Sequence, residues 1–309
     1  MERKPLLSFA LLMLALAACQ PAAPPAPGDT TAPRVTAATP AAGAVGVRQD
    51  ATVVLTFSEP MDTATTEAAF RLLAPDGTPL AVSFSWEDEG RRMVATPTAP
   101  LAYSADAGYL TYGYRLAATA RDPAGNPLAA AFAADFSTLR RLGFQIPGEA
   151  GRDGAVASDG GVDAAGAGAF LGDTDAAGAS RAFFSFSLED LPAGTESVVS
   201  AELRLYAQSA TGSPDDLQYR MDHLAYGDLD AGDYTAAESA NQPIFPRATG
   251  TWRFGVRDWV ADDWSRGRGR FQVRLRSSND GDGVADGFVL STAEATEPTP
   301  VLNVVVYAP

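Results

Sequence analysis

The chain contains almost no cysteine, histidine or lysine. Among 309 residues there is one cysteine, Cys19, and one histidine, His223. Lys4 is the single lysine among 23 basic residues. These numbers exclude a disulfide framework and a zinc site built from several cysteine and histidine ligands. The sequence also lacks GxSxG, Walker and HExxH motifs. We therefore interpret His223 as structural and predict a protein that is not an enzyme.

Positive charge is scarce as well. Acidic residues outnumber basic ones 38 to 23, which gives a formal net charge of −15 and an isoelectric point near 4.4. A field of this sign repels a phosphate backbone, so we expect no nucleic-acid partner. Hydrophobic residues make up 46% of the chain, together with 29 glycines and 22 prolines. Such a composition is typical of a folded chain with many turns.

No hydrophobic run near the N-terminus is long enough to cross a bilayer. The run from Leu6 to Ala18 has 13 residues, whereas a spanning helix needs about 20. Residues 1–18 are therefore predicted to be a signal peptide. The run ends in Leu16-Ala17-Ala18-Cys19, which resembles the lipobox of bacterial lipoproteins. The alternative is an ordinary secretory signal with a chance cysteine.

The lipobox resemblance implies cleavage before Cys19, acylation of its sulfur and its new amino group, and a membrane partner held through this lipid anchor. Gln20, rather than aspartate, follows the cysteine, which by the same resemblance implies the outer membrane or cell surface. Residues 20–33 contain five prolines and no large apolar side chain. Residues 19–33 are therefore predicted to be a lipidated cysteine followed by an extended tether.

Residues 34–138 have the pattern of an antiparallel β-sandwich. Val53, Leu55 and Phe57 alternate with their neighbours as in a half-buried strand, and Pro75-Asp76-Gly77 is a turn. The string VVLTFSEPMD over residues 53–62 resembles the bacterial Ig-like domain of the S-layer (SbsA) type. This resemblance implies a spacer or adhesion module without an active site, in which Glu59 and Asp62 shape a loop.

Residues 142–309 form a second predicted β unit. Phe271, Val273 and Leu275 alternate with polar residues, as in other predicted strands of this unit. The strings RAFFSF at 181–186, SAELRL at 200–205 and PVLNVVVY at 300–307 resemble the DNRLRE domain. That resemblance implies a jelly-roll sandwich similar to some carbohydrate-binding modules. The fold class is therefore all-β, with two units that we expect to fold independently on either side of residues 139–142.

One helix is predicted near residues 256–264, because Val256, Trp259, Val260 and Trp264 fall on one helical face. Trp252 lies outside this stripe and is a candidate for stacking on a sugar. The alternative is that Trp252, like the other tryptophans, packs in the core.

An arginine ladder precedes and enters the strand near residue 270. If the strand extends back through the glycines, arginines of one parity project from one face, and these are Arg266, Arg268, Arg270, Arg274 and Arg276. Arginine pairs well with carboxylates, so anionic sugars such as uronic acids are conceivable ligands. The residues that we assign to ligand binding are Arg270, Arg274, Arg276 and Trp252. The alternative is a face neutralised by the unit's own acids.

The loop NDGDGVADG at 279–287 resembles the calcium loops of thrombospondin-type and dockerin-type repeats. The resemblance assigns Ca²⁺ ligands to Asp280, Asp282 and Asp286, with Ser278 replacing the usual first aspartate. Calcium prefers six to eight hard oxygen ligands, which closely spaced carboxylates supply. The alternative is a polar hairpin loop without an ion.

These predictions describe a non-catalytic lipoprotein of the cell envelope. Its Ig-like spacer presents a jelly-roll module that binds a polysaccharide or another envelope component. The alternative is a purely structural or adhesive envelope protein without a small ligand.

Overall fold

The computed structural model describes residues 28–174, 178–246, 248–278, 282–296 and 298–309. The signal peptide, Cys19 and most of the tether lie outside the described residues. Strands hold 47% of the chain and helices 10%, which confirms the all-β prediction. Within the described ranges, no helix is long and apolar enough to span a membrane.

The N-terminal unit is a two-sheet sandwich. One sheet has the strand order β1-β3-β7-β6, and the other has the order β2-β9-β8-β4-β5 with β2 parallel to β9. The element bounds are β1 Val35–Thr39, β2 Ala44–Val47, β3 Val53–Phe57, α1 Thr63–Ala69, β4 Phe70–Leu73, β5 Pro79–Leu80, β6 Val82–Glu87, β7 Arg92–Pro97, β8 Thr111–Leu116 and β9 Phe132–Thr138.

The alternation predicted for β3 is confirmed, because Val53, Leu55 and Phe57 are all buried in the core between the two sheets. Asp62, at the end of the FSEPMD string, caps α1 by accepting the Thr65 N–H at 2.8 Å. A side-chain acceptor at this position satisfies an otherwise unpaired helix donor. Asp62 therefore shapes the loop after the strand, as predicted.

The C-terminal unit is one curled sheet of 12 strands. Its main path runs β10-β21-β15-β20-β13-β14-β19-β16-β17, with β11, β12 and β18 paired alongside. The bounds are β10 Arg140–Pro147, β11 Gly154–Ala157, β12 Val162–Asp163, β13 Gly168–Asp173, β14 Ala179–Ser187, β15 Ser197–Thr211, β16 Tyr219–His223, β17 Ala240–Ile244, β18 Gly250–Gly255, α2 Arg257–Ser265, β19 Arg270–Ser277, β20 Gly287–Ser291 and β21 Val301–Ala308.

The long strand β15 explains why the sheet is continuous. Its first part pairs with β21, and after a bulge between Ala207 and Ser209 it continues along β20, while β18 pairs on its other edge. A bulge bends a strand and increases its twist, so β15 passes around the core. The jelly-roll topology expected from sequence stays a prediction.

Helix α2 lies where the sequence predicted a helix. Val260 is fully buried, and Trp259 and Trp264 pack against the C-terminal core. The side chain of Val256, just before the helix, is buried too. The predicted stripe is therefore the face that α2 turns toward the sheet.

The two units have separate hydrophobic cores that share no residue. Only Leu139 separates β9 from β10, and polar contacts surround this joint. Glu196 accepts hydrogen bonds from the Tyr103 hydroxyl and lies 2.5 Å from the Arg48 guanidinium. Burial and the neighbouring Glu196 raise the pKa of Tyr103 to about 12. Independent folding of the two units stays a prediction.

Candidate functional site

The arginines predicted to form a ladder lie in different environments. β19 begins at Arg270, so the strand does not extend back through the glycines at 267 and 269. Arg266 caps the end of α2, and Arg268 pairs with the buried Asp263 at 2.9 Å. Only Arg270, Arg274 and Arg276 therefore share the face of one strand.

Arg274, which the sequence assigned to ligand binding, is buried. Only 2% of the surface of Arg274 is exposed to solvent. Its Nε and Nη2 atoms donate to Asp222 at 3.0 and 2.7 Å, and Nη1 donates to three main-chain carbonyls, those of Asp233, Tyr234 and Ala236. The loop that follows β16 covers this part of the sheet and supplies those carbonyls. Arg274 thus holds the loop onto the sheet, and a ligand could reach it only by displacing these acceptors.

Arg270 pairs with an acid of the same unit. Its Nε atom lies 3.1 and 3.0 Å from the two carboxylate oxygens of Glu149, and its side chain is 39% exposed. This ion pair matches the alternative considered above, in which the arginine face is neutralised by acids of the same unit. Arg270 keeps access to solvent but contributes little uncompensated charge.

Arg276 lies at the open end of the same face. Its Nε donates to Asp222 at 2.8 Å, and its side chain is 28% exposed. Asp222 therefore faces two guanidinium groups, those of Arg274 and Arg276. Glu238 is 3.6 Å from Arg274 but belongs to the exposed rim. One buried carboxylate cannot neutralise both arginines.

Arg220 stands directly opposite Arg276 in the register of β16 and β19. Directly opposed like charges destabilise an antiparallel pair. On the other side of β19, burial lowers the pKa of Arg181 on β14, and the guanidinium groups of Arg274 and Arg276 lower it further. Three strands thus place positive side chains side by side in a chain of net charge −15.

A cleft of about 420 Å³ opens beside this pair. Phe245 stands at its rim with 76% of its surface exposed. β17, which ends one residue before Phe245, is the last strand of the main path. The remaining lining residues are Asp215, Leu217, Gln218, Tyr219, Pro243, Ile244, Pro246, Ser277 and Ser278.

Sequence reasoning missed Arg220 and Phe245. Phe245 carried a signal, because it lies between Pro243 and Pro246, and prolines within a strand pattern indicate an edge strand. Arg220 carried no signal, since its partner Arg276 is defined only by the pairing of β16 with β19.

Trp252 is not available for stacking on a sugar. The residue is 8% exposed, and its indole packs edge-on against Phe288 with ring centroids 4.9 Å apart. Its Nε1 atom donates to the main-chain carbonyl of Ala248 at 2.9 Å. Trp252 therefore packs in the core, which is the alternative considered above.

The predicted calcium loop is described only in part, because Asp280 lies outside the described residues. Asp282 accepts the Val284 N–H at 2.7 Å, as in a tight turn. Asp286 is buried, and its carboxylate accepts the Ser213 N–H, which ties the loop to the end of β15. The three-aspartate calcium site stays a prediction.

His223 is buried in a hydrogen-bonded chain. Its Nε2 atom lies 2.9 Å from Asp263 Oδ2, and its ring stacks on Trp259 with centroids 5.4 Å apart. Ser239 Oγ lies 3.0 Å from both His223 Nδ1 and the His223 carbonyl, which also accepts the Ser239 N–H. These contacts fasten the strand end, in agreement with the structural interpretation of His223.

Comparison with known families identifies the N-terminal unit. Residues 29–138 match the bacterial Ig-like domain family, which confirms the Ig-like prediction and begins five residues before the expected boundary. This domain is about a third of the chain. No curated protein matches the chain.

Several solved structures are similar to part of this chain at low identity and low TM-score. The methionine-rich copper resistance protein PcoC of Escherichia coli is 18% identical, with a TM-score of 0.28, covering 35% of this chain and 99% of its own. CopC of Methylosinus trichosporium OB3b is 16% identical, with a TM-score of 0.27, covering 35% and 94%. The N-terminal part of the bacterial S-layer protein SbsC is 16% identical, with a TM-score of 0.27, covering 52% and 41%. At these TM-scores the likenesses carry no conclusion about ligands.

Proposed function

We propose that this chain is a non-catalytic, lipid-anchored protein of the cell envelope whose C-terminal unit binds an acidic polysaccharide. The Ig-like domain is the spacer that holds this unit away from the membrane. The lipobox string at residues 16–19 supports the anchor. The observation that carries the binding function is the cross-strand pair of Arg220 and Arg276 beside the exposed Phe245.

The charge arrangement favours an anionic ligand. Arg220 and Arg276 repel each other across the strands, and Asp222 is shared between Arg276 and the buried Arg274. A ligand carboxylate placed between the two guanidinium groups removes this repulsion, and arginine binds carboxylates with two parallel hydrogen bonds. Because the whole chain is acidic, its long-range field repels a polyanion. Recognition therefore depends on this local pair.

Phe245 supplies the second part of the recognition. An exposed aromatic ring offers a flat apolar face, on which the C–H face of a sugar ring packs. Asp215 and Gln218 also line the cleft. The Asp215 carboxylate can accept hydrogen bonds from sugar hydroxyls, and the Gln218 amide can donate or accept them. A cleft with an apolar face and a few polar groups is typical of small-ligand sites.

The test uses the purified full chain and an oligomer of galacturonic acid, titrated by calorimetry. We expect the double variant Arg220→Gln, Arg276→Gln to bind at least tenfold more weakly, and Phe245→Ala to lose affinity as well. Arg92→Gln is the matched control, because Arg92 is an exposed arginine paired with Glu87 in the Ig-like domain. Equal binding by the double variant contradicts the site. No binding of acidic or neutral oligosaccharides by the native chain supports the purely structural role.

A further inference from the structure

Two buried carboxylate oxygens of the C-terminal unit, one from the segment after β10 and one from the segment after β20, lack a hydrogen-bond donor among the described residues. They are Asp153 Oδ2 and Glu294 Oε2. Asp153 is 0% exposed. The other oxygen of each group is satisfied, since Asp153 Oδ1 accepts the Ser185 N–H at 2.8 Å and Glu294 Oε1 accepts the Gly151 N–H at 2.6 Å. These main-chain donors fix both carboxylates in place.

The neighbouring cationic side chains are directed elsewhere. Arg270 pairs with Glu149, which also accepts the Ser185 hydroxyl at 2.6 Å. Arg152 reaches Asp228 at 2.8 Å and lies 3.9 Å from Glu149. Within the described ranges, no ion pair therefore neutralises Asp153 or Glu294. A buried carboxylate without a partner charge is strongly unfavourable.

The fold makes room for the Asp153 carboxylate. A Cβ atom on Gly148 would lie 2.4 Å from Asp153 Oδ2, so only glycine at this position lets the carboxylate point where it does. Either a proton or a cation must compensate this charge.

We infer that Asp153 Oδ2 and Glu294 Oε2 are ligands of a divalent cation, with calcium the best match to hard, charged oxygens. The ion joins the segment between β10 and β11 to the segment after β20. It is separate from the predicted loop site at Asp280, Asp282 and Asp286. That loop precedes β20 whereas Glu294 follows it, and a five-residue strand spans about 17 Å.

The test is a calorimetric titration of calcium chloride into the full chain after removal of metal by a chelator, with a melting curve at each concentration. We expect calcium to raise the melting temperature, and Glu294→Gln to weaken binding at least tenfold. Asp282→Asn is the matched control, since it removes a carboxylate of the predicted loop site and leaves this one intact. Loss of binding in Asp282→Asn with full binding in Glu294→Gln overturns the inference.

Asp153→Asn provides a second readout. Removing an uncompensated buried charge should raise the melting temperature of the metal-free chain and abolish the further rise with calcium. If the native chain binds no calcium at millimolar concentration, a proton compensates Asp153 and the inference is wrong. Because the test uses no sugar, its failure leaves the polysaccharide proposal unaffected.

Discussion

The two units differ most in the ionisable groups that they bury. If tyrosines are left aside, Asp122 is the single buried ionisable side chain among the described residues of the Ig-like domain. The described part of the C-terminal unit buries eight, which are Asp153, Asp173, Asp222, His223, Asp233, Asp263, Arg274 and Asp286. Buried charge is costly, and perturbed groups concentrate at functional sites. The comparison teaches that the Ig-like domain is held together mainly by apolar packing. In the C-terminal unit, buried charged groups such as Arg274 and Asp222 also hold loops onto the sheet.

The strongest test of this comparison is Asp222→Ala. It removes the carboxylate that holds Arg274 and Arg276, and leaves the buried Arg274 with only the more distant Glu238, 3.6 Å away, as a partner charge. Breaking a buried pair by removing one member costs about 3–5 kcal/mol, which we expect as a fall in the free energy of unfolding measured with urea.

Asp135→Ala is the control for Asp222→Ala. Asp135 pairs with Arg115 on the exposed surface of the Ig-like domain, and exposed pairs contribute about 1 kcal/mol or less. Similar losses from both substitutions would contradict a special role of buried charge in the C-terminal unit.

The second test is the pH dependence of the metal-free chain. Burial raises the pKa of Asp153 well above its usual range. An acid whose pKa is raised on folding binds its proton more tightly in the folded state. The free energy of unfolding therefore falls as the pH rises above the unfolded pKa of about 4. Asp153 should contribute up to about 1.4 kcal/mol per pH unit across this window. Subtracting the profile of Asp153→Asn from that of the native chain isolates this contribution. Parallel profiles would mean that Asp153 keeps an ordinary pKa.

The smallest expected effect is at the buried aspartate of the Ig-like domain. Asp122 accepts hydrogen bonds from the main chain and side chain of Asn126 at 2.8 and 2.7 Å. Asp122→Ala should therefore lower the free energy of unfolding by about 1–2 kcal/mol, less than Asp222→Ala, because no buried cation loses its partner. A loss as large as that of Asp222→Ala would remove the difference between the two units.

Local patterns in the sequence predicted the elements but not the site. The alternation of β3 and the stripe of α2 were readable because each depends on residues only a few positions apart. The opposition of Arg220 and Arg276 depends on strands that are 56 positions apart, and nothing near either residue determines that register. Arg274 has the same parity as Arg276, yet a loop from elsewhere in the chain covers one and leaves the other open.

The acidic-sugar claim is tested most directly by comparing two ligands of nearly the same shape. An oligomer of galacturonic acid and its fully methyl-esterified form differ in charge at every sugar. If Arg220 and Arg276 recognise carboxylates, calorimetric titration of the full chain should show at least tenfold tighter binding of the acid, about 1.4 kcal/mol, and this advantage should shrink as salt is added. Equal affinity for the acid and its ester would contradict the account.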